Sequence, residues 1–103
     1  MDQFDDMRQK ILPVLIPYGV KRVAVFGSMV RGEDTPNSDV DILLALKPPD
    51  ERPPLGLFEW IALEQKLSRI LGRKVDLVTE DGVSPYIRPY IESEKVILYE
   101  EKG

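Results

Sequence analysis

The stretch 39–46, Asp-Val-Asp-Ile-Leu-Leu-Ala-Leu, constrains this chain more than any other. It alternates as a strand does, with Val40, Ile42, Leu44 and Leu46 on one face and Asp39, Asp41, Leu43 and Ala45 on the other. The wholly aliphatic face is the one a core demands, so the aspartates fall on the sheet's other surface or at its edge. Residues i and i+2 of a strand point the same way, with Cα atoms about 6.5–7 Å apart. Asp39 and Asp41 therefore present two carboxylates to one small volume, where they repel each other unless a cation neutralises them.

A strand needs neighbours, and the pattern supplies three. Residues 22–26 are a β-branched run that reads as a strand buried on both faces, and residues 74–79 and 95–99 read as two more. Spacings of three and four join Phe4, Met7, Ile11, Leu15 and Tyr18 into one helical face, with Gly19 placed as its cap. Pro13 predicts a kink or a fresh start within it. A second helix follows from Leu57, Trp60, Leu63 or Glu64, Leu67, Ile70 and Leu71, ending at Gly72. Between them, Pro48, Pro49, Pro53 and Pro54 predict a stiff, extended connection. A short helix is expected from Pro85 towards Glu94, capped by Ser84, with Pro89 limiting its regularity. The order predicts an α/β fold, a small mixed sheet of about four strands flanked by helices. At 103 residues the chain has room for one such domain, spanning 1–103.

Composition narrows the chemistry. With no cysteine and no histidine there is no thiolate, no zinc–sulfur site and no imidazole base. Catalysis must run on carboxylates, hydroxyls, lysine, arginine and backbone, and any metal should be a hard one, Mg²⁺ or Mn²⁺. A net charge of -4 disfavours direct nucleic-acid binding, a local basic strip at Lys21, Arg22 and Arg31 apart. The apolar runs are far too short to span a membrane and no charged-then-apolar leader opens the sequence, so a cytoplasmic location is expected.

Three further features join the two aspartates. Asp76 interrupts the apolar strand Val75-Asp76-Leu77-Val78, where an acid is poorly tolerated without a purpose; an ion pair with Lys74 or Arg73 is the plain alternative. If that strand lies beside residues 39–46, three carboxylates converge and could hold two divalent ions, with Asp76 as proton acceptor for an attacking hydroxyl. Gly27-Ser28, directly after a buried strand, is a turn whose N–H groups and hydroxyl can hold a phosphate. Arg31 and Ser38 are the nearest other donors to a triphosphate.

The run Phe26-Gly27-Ser28, Arg31-Gly32, Ser38-Asp39-Val40-Asp41 resembles the signature of the DNA polymerase beta-like nucleotidyltransferase superfamily. In length and ending the chain looks like the minimal nucleotidyltransferases, the MNT proteins. The resemblance implies that Asp39 and Asp41 are the metal ligands and Asp76 the third carboxylate of a catalytic Mg²⁺ or Mn²⁺ site, and that Gly27 and Ser28 are the triphosphate-binding turn for ATP. Minimal members are commonly the antitoxin half of HEPN/MNT toxin–antitoxin pairs. That implies transfer of AMP to a tyrosine hydroxyl of a HEPN ribonuclease toxin, in an assembly of two copies of each chain. A non-catalytic antitoxin acting by occlusion, and nucleotidylation of a small molecule, are the competing expectations. The loop bearing Leu55, Leu57 and Phe58, or the C-terminal tail, would meet the partner.

Overall fold

The computed structural model describes residues 3–102. Four strands form one sheet: β1 (Val20–Phe26), β2 (Val40–Leu46), β3 (Val75–Thr79) and β4 (Val96–Glu100), in the order β3-β2-β1-β4. β1 runs antiparallel to both β2 and β4, while β2 and β3 are parallel, so the sheet is mixed. The helices are α1 (Gln3–Leu15), α2 (Ser28–Arg31), α3 (Leu57–Leu71) and α4 (Arg88–Glu94).

The main core lies on one face. Met7, Ile11 and Leu15 of α1 and Leu63 and Leu67 of α3 pack on Val23 and Val25 of β1, Val40, Ile42 and Leu44 of β2, and Leu77 of β3. These are the positions that the strand alternation and helical spacing select, because burying them removes the most apolar area from water. The opposite face carries a smaller cluster, in which Ile91 of α4 and Val83 cover Ala24 and Leu43. Asp41 and Asp76 belong to this thinly covered face.

Local chemistry moves several boundaries. α1 continues through Pro13 to Leu15, and the chain then tightens into a 3₁₀ turn at Ile16–Tyr18 closed by the left-handed Gly19. The proline-rich connection is not uniformly extended, for Pro49–Glu51 winds into another 3₁₀ turn. α4 begins later than Pro85 because Ser84 first closes a turn, its carbonyl accepting from the N–H groups of Ile87 and Arg88 and its hydroxyl from Tyr86 N–H. Pro89 then sits in the first turn of α4, where a missing N–H costs nothing.

β3 is an edge strand, yet two of its outward N–H groups have partners. Val75 N–H donates to Ser68 Oγ (2.9 Å) and Leu77 N–H to Glu64 Oε2 (2.9 Å), both on α3. The helix thereby satisfies the edge and fixes the strand that carries Asp76.

Candidate active site

β1 ends and β2 and β3 begin at the same end of the sheet, which gathers the sequence motifs there. Asp41 pairs in register with Phe26 on one side and with Asp76 on the other. The two acids are thus adjacent on neighbouring strands, on the same face, and Asp39 precedes Asp41 by one strand repeat. Asp39 and Asp76 are exposed, whereas Asp41 is half-buried. Burial, and then the charges of Asp76 and Asp39, push the Asp41 carboxyl above the usual carboxylate range.

Gly27 follows immediately. Its φ of 87° is in the left-handed region, and a Cβ there would collide with the Asp41 carboxylate, so only glycine fits. Turning through Gly27, the chain enters α2, whose first N–H groups, Ser28 and Met29, have no carbonyl one turn earlier to bond. The Ser28 hydroxyl has no hydrogen-bond partner among the described residues. Donors for an anion therefore stand next to the carboxylates.

Arg31 and Ser38 are placed differently. The Arg31 guanidinium bonds Glu94 (Nη1 to both oxygens, 3.1 and 3.0 Å) and Glu33 (Nε, 3.1 Å). Ser38 Oγ closes its own loop by accepting from Thr35 N–H (2.9 Å), with Thr35 Oγ1 at 3.2 Å. Arg73 pins that loop to the start of β3, donating to the Ser38 carbonyl (3.0 and 3.1 Å) and to Asp34 Oδ2 (3.1 Å). Lys74 approaches Asp39 at 3.9 Å. Neither cation pairs with Asp76, so the plain ion-pair explanation for that acid has no support in the structure. The basic strip does not form either: Arg22 is held by Glu80 and Glu100, and Arg31 by Glu33 and Glu94.

Sequence reasoning missed Glu94, Arg73 and Glu64. Each acts across a fold-dependent distance, and nothing local distinguishes them from solvated charges. The sequence offers Arg73 only as a partner for Asp76.

For a metal, the donor chemistry fits: oxygen ligands alone, two of them register partners, and like charges that a hard cation would neutralise. Among the described residues no three acidic side chains stand close enough to hold an ion as they are oriented. The backbone register nonetheless brings the carriers Asp41 and Asp76 together.

Comparison with known proteins agrees with this geometry. The nucleotidyltransferase domain family matches residues 7–98. The protein adenylyltransferase MntA of Thermococcus cleftensis is 40% identical over 81 residues, 79% of this chain and 77% of that protein. A Methanocaldococcus jannaschii chain provisionally named a protein adenylyltransferase is 33% identical over 92 residues, 89% of this chain and 94% of its own. Among solved structures, a toxin–antitoxin with AMP-PNP superposes with a TM-score of 0.76 at 25% identity, over 92% of this chain and 74% of that one. Another, provisionally named a minimal nucleotidyltransferase, gives 0.72 at 34% identity, over 93% and 95%. The chain belongs to the nucleotidyltransferase domain family and is an enzyme of that class.

Proposed function

We propose that this chain is an antitoxin that transfers AMP from ATP to a tyrosine hydroxyl of a HEPN-type ribonuclease and so silences it. The observation that carries the reading is Asp41 in register with Asp76, packed against the Gly27 turn. It is supported by the relative named a protein adenylyltransferase and by the likeness to a toxin–antitoxin structure with AMP-PNP.

In this reading Asp39, Asp41 and Asp76 would hold Mg²⁺ or Mn²⁺, which supplies the positive charge that a triphosphate needs beside three carboxylates. The turn after Gly27 holds phosphate oxygens through the Ser28 and Met29 N–H groups and the Ser28 hydroxyl. Arg31 faces the same triphosphate, and Ser38 shapes the loop that delivers Asp39. Asp76, exposed and without an ion-pair partner among the described residues, accepts the proton of the tyrosine hydroxyl. The phenolic oxygen attacks the α-phosphate in line, and pyrophosphate leaves with the electrons of the broken bond.

Asp39 and Asp76 are exposed, so a partner would have to complete the site. Leu57 and Phe58, 71% and 84% exposed at the start of α3, are the docking surface we assign to that partner, in a two-plus-two assembly. Residues 1–103 act as one domain, and the site of action is the cytoplasm; no helix among the described residues is long and apolar enough to cross a membrane.

The test is incubation with labelled ATP, Mg²⁺ and a HEPN-type ribonuclease co-expressed with the chain. Covalent AMP on a tyrosine of that protein, with loss of its ribonuclease activity, is expected. Silencing without label would replace catalysis by occlusion.

A further inference from the structure

We propose that Glu94 is a positioning residue for the nucleotide, acting through Gly27 and Arg31. The inference rests on the nucleotidyltransferase reading and names a residue that its motifs do not contain.

Gly27 lies one residue past the last register pair of β1 and β2, Phe26 with Asp41, and is buried. Its N–H has no strand carbonyl to bond, and a buried orphan donor is costly. Glu94, at the last turn of α4 and 67 residues away, supplies the acceptor at 3.0 Å. The same carboxylate takes Nη1 of Arg31 with both oxygens. One side chain thus sets the turn and the guanidinium relative to each other.

The hold leaves Arg31 usable. Glu94 occupies Nη1 and Glu33 occupies Nε, while Nη2 bonds none of the described residues. The Glu94 side chain is 21% exposed and that of Arg31 46%, so the brace is the inner member and the guanidinium the outer one. A planar group held at Nε and Nη1 keeps Nη2, already oriented, for an anion.

Charge and geometry predict opposite outcomes. Were charge decisive, removing a carboxylate would tighten binding of a polyanion. If positioning dominates, removal weakens it, since the turn and the guanidinium must then be ordered by the ligand.

The experiment is Mg²⁺–ATP titration and steady-state kinetics on wild type, Glu94→Ala and Glu94→Gln, with thermal melting alongside. For Glu94→Ala we expect Kd and KM for ATP to rise about tenfold with kcat within about twofold. Glu94→Gln keeps an acceptor for Gly27 N–H and should lose only about threefold. In an Arg31→Ala background, Glu94→Ala should change ATP affinity little further. Should Glu94→Ala not fold, Glu94→Gln decides. Unchanged or tighter ATP binding in a folded variant, beside a wild type that binds, overturns this inference alone. A wild type that binds no ATP overturns the nucleotidyltransferase reading with it.

Discussion

Asp41 sits where stability and function pull apart. Burial and two neighbouring acids hold its folded pKa above the ordinary value, so its ionised form destabilises the metal-free protein. The cost is fully present above the raised pKa and vanishes below the unfolded one, where the carboxyl is neutral in both states. Asp41→Asn should therefore melt higher than wild type at neutral pH without divalent metal. The gap should close as the pH falls through the carboxylate range. The same substitution should lower AMP transfer about a thousandfold, ~4 kcal/mol of lost transition-state stabilisation. Melting curves across pH and a labelled-ATP assay check the two halves. The three aspartates and Gly27 were legible in sequence because strand period and the spacing of short motifs fix which side chains share a face. How those side chains are oriented was not legible, since strand period sets only the face they share.

Elements built from period and punctuation were read well. Leu63 and Leu67 on α3, and Met7, Ile11 and Leu15 on α1, follow spacings that only a helix buries on one side. Element starts and stops set by hydrogen bonds were read less well. Ser84 closes a turn of its own before α4, and Pro89 marks the start of that helix instead of disturbing it. Glu64 lay ambiguously on the edge of the α3 stripe, and its task is visible only once β3 is beside it. Because its carboxylate takes the edge N–H of Leu77, Glu64→Ala should cost about 1 kcal/mol of stability by exposing that donor. It should also loosen the strand that presents Asp76. Hydrogen exchange of the Leu77 amide, with urea denaturation, measures both; an unprotected Leu77 amide in the wild type would remove the edge-capping role.

At the scale of the molecule, one face of the sheet carries the main core and the other carries Asp41 and Asp76. α1 and α3 cover the first, leaving the second to α4 and the 3₁₀ turn at Glu80–Gly82, which Arg22 and Arg88 tie down through Glu80. That division leaves the starts of β2 and β3 open, where we propose that a nucleotide and a partner's hydroxyl meet. The mixed sheet followed from element order, but the link of Glu94 to Gly27 and Arg31 did not, because it joins residues far apart in the chain. We propose that the acids carried by β2 and β3 form one cation site beside the Gly27 turn. Electron paramagnetic resonance of Mn²⁺ titrated into the protein with AMP-PNP reads this directly. Wild type should bind the ion, and Asp41→Asn and Asp76→Asn should each lose it while remaining folded; undiminished Mn²⁺ binding in both variants would contradict the account.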